Sequence, residues 1–458
     1  MRLAELAAKR VAILGFGREG RAAWQALRRY LPDHALTLFC SPGEREEALQ
    51  LNDSALHIVA EPATVSALTA FDVVIKSPGI SPYRTPIPEA VAAGVHFISG
   101  STIWFAEHEG ARTICITGTK GKSTTCALAA HLFRSIGVRT ALCGNIGLPL
   151  LELMPPQPPA ECWVIELSSF QTRDFAGVPT VAVVTNLFEE HLDWHGSVER
   201  YIEDKLCIFG NDPRTRRVVN ARDTLTRSRM GNRDALCFDH DDGWQVTESD
   251  LCFRGRALIA RSELALAGAH NAANACAALT AIAAAGYDAV AALPALRTFV
   301  PLPHRLQSLG TRAGIEYVND SIATTPQAAI AALQHYAGRD IALILGGQDR
   351  GLDWTSLRDY LGLHPPCAVV CTGATAARLL PMLSEVSALR ECLHHAERFD
   401  SAFAMAGTAL RGSGVLLLSP GAPSFGQFRD YVERGKMFAR LAGFDPEAIT
   451  GIQGLGIA

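Results

Sequence analysis

A chain of 458 residues is too long for one hydrophobic core and, at roughly 100–200 residues per domain, is expected to divide into about three domains. Hydrophobic residues make up 48% and charged residues 19%, which excludes a disordered chain. The 42 Lys and Arg against 46 Asp and Glu leave a formal net charge of -4, so no polycationic surface for nucleic acid or an anionic membrane is expected, and no run approaches the ~20 apolar residues that span a bilayer.

The opening residues MRLAELAAKR lack the apolar core of a signal peptide. The twelve cysteines are scattered, with no CxxC pair and with Cys367 and Cys371 closest together, so a reducing cytoplasm is expected. Cys115 and Cys162, inside strand-like apolar runs, read as packed thiols.

In chain order, VAILGFGREG (Val11 to Gly20), the helical RAAWQALRRY and the strand ALTLF (Ala35 to Phe39) predict a βαβ unit. VVIKSPGI (Val73 to Ile80) and GVHFISG (Gly94 to Gly100) continue it as an open parallel sheet, giving a first domain over 1–100. A second αβ series opens at TICITGTKGKST (Thr113 to Thr124), adds strands at Cys162–Leu167 and Val181–Leu187 around the proline-rich loop Pro155–Pro159, and ends in the helical stretch Gly268–Gly286. With LPHRLQ as the link, this domain is expected over 101–306. Strands at Ile315–Asp320, Asp340–Gly347, Ala368–Gly373 and Gly414–Gly421 predict a third α/β domain over 307–458. No short repeat points to a solenoid or propeller.

Three motifs carry chemistry. GFGREG, with Gly15, Gly17 and Gly20, fits a dinucleotide fingerprint, in which small residues let backbone N–H groups approach a diphosphate. The second strand, however, runs into Cys40 and Ser41 instead of the acid that would hold a ribose, which argues against nicotinamide; a UDP-sugar or a ligand-free tight turn both remain compatible. GTKGKST (Gly118 to Thr124) resembles a shortened P-loop, with Lys122 to neutralise phosphate charge and Ser123 to reach Mg²⁺. Glu166, Glu190, His191 and Asp193 in strand-end loops supply hard ligands suited to Mg²⁺ beside phosphates. Lys205, on a predicted helix, is not singled out by spacing.

Together, GTKGKST, GNIGLPLL, ELSSFQ, NLFEEHLDWHG, YIEDKL, GAHNAANACAAL, LPHRLQ, YVNDSIATT, LGGQDRG and LLLSPGAPSFGQF follow one another in the order that resembles the Mur ligases of peptidoglycan synthesis, over nearly the whole chain. The resemblance implies an N-terminal Rossmann-like UDP-binding domain, a central P-loop-type ATPase domain and a C-terminal Rossmann-like domain receiving an amino acid. It also implies a cytoplasmic, monomeric ligase using ATP and Mg²⁺, with UDP-N-acetylmuramoyl-L-alanine and glutamate as substrates.

Carried over residue by residue, the resemblance assigns Gly118, Thr119, Lys120, Gly121, Lys122, Ser123, Thr124, Asn271, Asn274, Arg305 and Asp320 to ATP, with His304 beside them. Gly15, Gly17, Arg18, Gly79 and Asn145 would meet the UDP substrate, and Ser123, Glu166, His191 and Lys205 the metal. Lys122, Glu166, His191 and Lys205 would be catalytic, Lys205 as the N6-carboxylated lysine of the family. Thr324, Arg350, Ser424, Phe425 and Tyr431 would bind glutamate. Ile322 and Arg350 stand where D-glutamate enzymes carry lysines, and Tyr431 where they carry phenylalanine, so the chain resembles the L-glutamate-adding branch. An epimerase acting on the product is then implied. D-glutamate addition, a folylpolyglutamate-type ligase and a non-catalytic nucleotide-binding module are the alternatives. The full N-terminal domain weighs against the folate reading, and retention of Lys122, Glu166, His191 and Lys205 against the non-catalytic one.

Overall fold

The computed structural model describes residues 1–154, 159–231, 234–266 and 268–458, so all but the end of the predicted loop Pro155–Pro159 lies outside the described residues. The chain separates into two compact units. The first comprises Met1–Ala265, Ala269–Phe299 and Gly454–Ala458, and the second Leu266–Gly268 and Val300–Gln453. The architecture is α/β throughout, with three parallel-rich sheets.

The first unit holds two of these sheets. Strands β1 (Val11–Leu14), β2 (Leu36–Phe39), β3 (Leu56–Val59), β4 (Val73–Lys76) and β5 (His96–Ile98) form an all-parallel sheet in the order β3-β2-β1-β4-β5. β1 and β4 are buried along their whole length, as unbroken apolar runs in a two-sided sheet must be. The second sheet contains β6 (Thr113–Thr117), β7 (Thr140–Gly144), β8 (Cys162–Glu166), β9 (Val181–Val184), β10 (Arg216–Asn220) and β11 (Leu236–Phe238), ordered β11-β10-β9-β6-β8-β7. A short antiparallel sheet of β12 (Trp244–Val246), β13 (Asp250–Phe253) and β14 (Arg256–Ala260) follows. The two large sheets share one apolar core, in which Phe16, Leu27, Trp104, Leu151 and Ile165 are buried. Cys115 and Cys162 are fully buried in β6 and β8, and all twelve cysteines are free thiols.

The alanine-rich helices Lys122–Ser135 and Ala269–Ala284 lie in the first unit, their small buried residues permitting close backbone approach. In the second unit, β15 (Gln307–Arg312) and β16 (Ile315–Asn319) form a hairpin, and β17 (Ile341–Gly346), β18 (Ala368–Thr372), β19 (Leu393–His395) and β20 (Gly414–Leu418) complete the sheet β15-β16-β20-β17-β18-β19. Apolar clusters cover both of its faces. The final strand β21 (Gly456–Ile457) pairs antiparallel with β7, adding the last residues to the first unit's sheet. No helix among the described residues is long and apolar enough to cross a membrane.

Candidate active site

In an open parallel sheet, ligands bind outside the carboxyl ends of strands where the strand order reverses. The first sheet reverses at β1, flanked by β2 and β4, and a cavity of about 550 Å³ opens there. Gly15, Gly17, Arg18, Gly79 and Asn145 all line it. Gly15 has φ +95°, and a Cβ there would approach Ser77 Oγ to 2.8 Å, so the turn requires glycine. Gly20 plays a different part: it packs against the Gly15 carbonyl and lets the following helix approach the strand.

Sequence reasoning missed Glu19 in this wall. It accepts a 2.8 Å hydrogen bond from Gln171 Nε2, and burial raises its pKa against that bond and the charge of Arg18. Asn145 does more than line the cavity, because its Nδ2 donates to Glu166 Oε1 at 2.7 Å. Glu166 is 1% exposed, and its other oxygen, Oε2, has no hydrogen-bond partner. A buried carboxylate held by one oxygen and orphaned at the other suits a hard cation.

Glu166 closes β8, and the GTKGKST loop leaves the neighbouring β6. Gly118 (φ +149°) and Gly121 (φ +81°) are fixed by their surroundings: a Cβ on either would run into Thr185 Oγ1 or Asn274 Oδ1. The amides of Thr119 and Lys120 are already bonded to Asn186, at 2.9 Å to its carbonyl and 2.8 Å to its side chain. A phosphate would therefore meet the N-terminus of the helix Lys122–Ser135, where Ser123 and Thr124 lie in the first turn. Asn271 and Asn274 are buried on the helix Ala269–Ala284, and Asn274 accepts from Thr125 Oγ1 at 3.3 Å.

Two lysine side chains converge on the loop. Lys122 Nζ donates to the carbonyls of Gly118 and Thr119, each at 2.9 Å, and Lys205 Nζ donates to Gly118 O at 2.8 Å. Lys205 is 2% exposed; burial holds its pKa well below the ordinary lysine value, the Lys122 charge pushes the same way, and Glu190 and Glu166 oppose. Lys205 is carried by the helix Val198–Leu206, whose Tyr201 hydroxyl meets Thr119 Oγ1 at 2.7 Å. Neither Tyr201 nor Asn186 stands out in the sequence, because both act through contacts made only on folding. Lys120 reaches outward to Glu190 at 2.7 Å. His191, in the left-handed region at φ +57°, is about half exposed; burial lowers its pKa against the pull of Glu190. Asp193 contributes its carbonyl, as acceptor for Arg84, to the same stretch.

In the second unit, Asp320, Thr324, Arg350, Ser424 and Phe425 follow the carboxyl ends of β16, β17 and β20, whereas Arg305 precedes β15 and Tyr431 opens the helix Tyr431–Leu441. Asp320 is 7% exposed and accepts from Ser419 Oγ at 2.7 Å and the Leu306 amide at 3.1 Å; burial raises its pKa to about 7 against these bonds and the charges of Arg305 and Arg434. His304 and Leu306, on either side of Arg305, both have positive φ, and buried His304 faces Asn319 Nδ2 at 2.9 Å. Thr324 and Ile322 are half-buried, Ser424 is buried, and Arg350, Phe425 and Tyr431 are exposed. The Arg350 guanidinium lies 6.0 Å from the centre of the Phe425 ring.

Beneath them lies Arg434, which sequence reasoning missed. This fully buried guanidinium donates to Ser321 Oγ and to the carbonyls of Ser321, Gly346 and Ala422, tying the loops after β16, β17 and β20 together.

The sequence pattern of the Mur ligase middle domain matches residues 116–282. The UDP-N-acetylmuramoyl-L-alanine–L-glutamate ligase of Xanthomonas oryzae pv. oryzae is 49% identical over 469 aligned residues, covering 100% of both chains. Ligases of the same name from Xylella fastidiosa and a Micromonospora species are 49% and 37% identical, the first covering 100% of both chains and the second 96% of this chain and 97% of its own. Among solved structures, the UDP-N-acetylmuramate–alanine ligase of Thermotoga maritima superposes with a TM-score of 0.61 at 20% identity, over 95% of this chain and 99% of that one. MurF of Acinetobacter baumannii gives 0.61 at 18% identity over 90% of each chain. At these identities the two structures establish a shared fold.

Proposed function

The chain belongs to the Mur ligase family, and from that premise we propose that it joins L-glutamate to UDP-N-acetylmuramoyl-L-alanine at the expense of ATP, in the synthesis of peptidoglycan precursors. The observation that carries this reading is the end-to-end likeness, at 49% identity, to ligases of that name.

A carboxylate repels an incoming nucleophile and has a poor leaving group. Transfer of the γ-phosphoryl group from ATP to the muramoyl-alanine carboxylate removes both obstacles, releasing ADP. The glutamate amino group then attacks the acyl carbon, the acyl–phosphate bond breaks, and phosphate leaves as the nitrogen loses a proton. Every step crowds negative charge, so this chain's task is to gather cations and exclude water.

Lys122 and the loop Gly118–Thr124 cradle the phosphates, with Asn271 and Asn274 behind the loop. Gly15, Gly17, Arg18 and Gly79 hold the uridine nucleotide. Ser123, Glu166, His191 and Lys205 hold Mg²⁺, and the orphaned oxygen of Glu166 supports that assignment. Bound there, Mg²⁺ supplies neutralisation of phosphate charge. Asn145 fixes the Glu166 carboxylate from the cavity side.

Burial lowers the pKa of Lys205 and so favours the neutral amine, the form that adds to CO₂ with release of a proton. The resulting carbamate is the anion that a metal site beside Lys122 calls for. Thr324, Arg350, Ser424, Phe425 and Tyr431 receive glutamate, with Arg350 offering a planar fork to a carboxylate. The protein works as a cytoplasmic monomer, and its L-glutamyl product requires a later epimerase.

Phosphate release tests the reaction class. We expect it to require ATP, UDP-N-acetylmuramoyl-L-alanine and glutamate together. Equal release with a pteroyl acceptor in place of the muramoyl substrate would overturn the reading.

A further inference from the structure

The segment between the cavity and the helix that carries Lys205 has no part in the chemistry above, yet it is heavily bonded. Ser77, Pro78, Gly79 and Ile80 form one wall of the cavity. From there the chain runs directly onto the stretch holding His191 and Lys205. Trp194 Nε1 donates to Gly79 O at 3.0 Å, Ser81 Oγ donates to Trp194 O at 2.7 Å, and Arg84 donates to the Asp193 carbonyl. Tyr83 packs edge-on against Trp194 and its hydroxyl donates to Asp204 Oδ1 at 2.6 Å, while Arg173 Nε donates to the same hydroxyl at 2.8 Å.

Asp204 is the far end of this chain of contacts. It is 3% exposed, and its second oxygen meets His195 Nδ1 at 2.6 Å; His195 Nε2 in turn faces Ser169 Oγ at 3.0 Å. In a helix of 3.6 residues per turn, Asp204 and Lys205 leave the axis about 100° apart, whereas Tyr201 and Lys205 share a face. One face of the helix Val198–Leu206 thus holds the GTKGKST loop, through Tyr201 to Thr119 and Lys205 to Gly118. The adjacent face holds the cavity wall through Asp204 and Tyr83. A rigid helix cannot shift on one side and stay still on the other.

We propose that residues 81–84 are a positioning arm, anchored on the cavity wall at Gly79 and Ile80 and with Tyr83 and Asp204 as its joint, through which nucleotide-sugar in the cavity sets the position of Lys205 and the GTKGKST loop. The inference rests on the reading of that cavity as the UDP-substrate site. The test measures the coupling between the two sites directly.

A non-hydrolysable ATP analogue with Mg²⁺ is titrated calorimetrically into the full chain, with and without saturating UDP-N-acetylmuramoyl-L-alanine. We expect the nucleotide-sugar to tighten analogue binding by about 5-fold or more, the lower range of ordinary site–site coupling, with the same factor in the reverse titration. Tyr83→Phe keeps the ring and removes only the hydroxyl, and Ser81→Ala removes the neighbouring link independently. Either should bring the factor to about 1 while each ligand alone binds within about twofold of wild type. An uncoupled wild type, or variants that lose thermal stability but keep the full factor, would overturn the arm and leave the contacts as packing. Failure of the nucleotide-sugar to bind the wild type at all would instead overturn the substrate reading.

Discussion

Around the GTKGKST loop the innermost side chains are buried and hold one another, while Lys120 and His191 at its edge are about half exposed. Lys205 and Glu166 are 2% and 1% exposed, and Asn145, Lys122 and Tyr201 bond to them or to the loop. At the carboxyl ends of the six-stranded sheet the pattern is reversed, because Phe425 and Tyr431 are 47% and 38% exposed and only the supports beneath them, Ser424, Asp320 and Arg434, are buried. The first arrangement suits phosphoryl transfer, where preorganised charge is strongest away from water. The second suits selection, since exposed loop residues on a fixed scaffold change with little cost to the fold. Ile322, Arg350 and Tyr431, where this chain departs from the D-glutamate pattern, all lie in the second region.

The sharpest way to break this contrast is Lys122→Ala. Removing this partly buried cation is expected to lower the rate of phosphate release by about 10²–10³-fold with the thermal midpoint nearly unchanged, and near-normal turnover would refute its role. Lys205→Ala should cost about 10²-fold, with partial recovery in added short-chain carboxylic acids that replace the proposed carbamate. Recovery separates lost chemistry from lost folding, and a variant with unchanged activity would sink the carbamate. Asn145→Ala leaves Glu166 without its donor, and the expected outcome is a roughly 10–100-fold weaker response of the rate to Mg²⁺, read from metal titrations.

Arg434→Lys probes the other region. A lysine ammonium cannot serve all of the acceptors tied by the guanidinium, so stability should fall by about 2 kcal/mol in denaturant unfolding. KM for glutamate should rise more than KM for ATP; equal rises would remove the scaffold from amino-acid recognition.

A pH slope tests the same region by another route. Asp320, with a folded pKa of about 7 against an unfolded value near 3.8, binds in the folded state a proton that the unfolded chain has released, so its contribution to stability is lost as pH rises from about 4 to about 7. His304, held down to about 4 by burial, acts oppositely, losing its contribution as pH falls from 6.5 to about 4. Asp320→Asn should therefore gain stability relative to wild type across that interval on going up in pH, in unfolding series at matched salt. A constant difference would contradict the burial account.

Much of this was legible in the sequence where the information is local. GTKGKST and GFGREG lie at strand-to-helix turns, as their spacing requires, and VAIL, TICIT and CWVIE are buried along their whole length. What stayed hidden depends on distant partners. QSLGTR and the short antiparallel strands from Trp244 to Ala260 have no long apolar run, and Gly456–Ile457 becomes a strand only because β7 offers an open edge. Arg434 reads in sequence as one more helical arginine, and only the meeting of three loops makes it a buried scaffold.

Competition between the two glutamate enantiomers decides which one the second unit selects. The purified chain is given ATP, Mg²⁺, UDP-N-acetylmuramoyl-L-alanine and equal concentrations of L- and D-glutamate, and the configuration of the incorporated residue is determined after hydrolysis of the product. We expect a product containing mainly L-glutamate; a product containing mainly D-glutamate would refute L-glutamate addition by this chain.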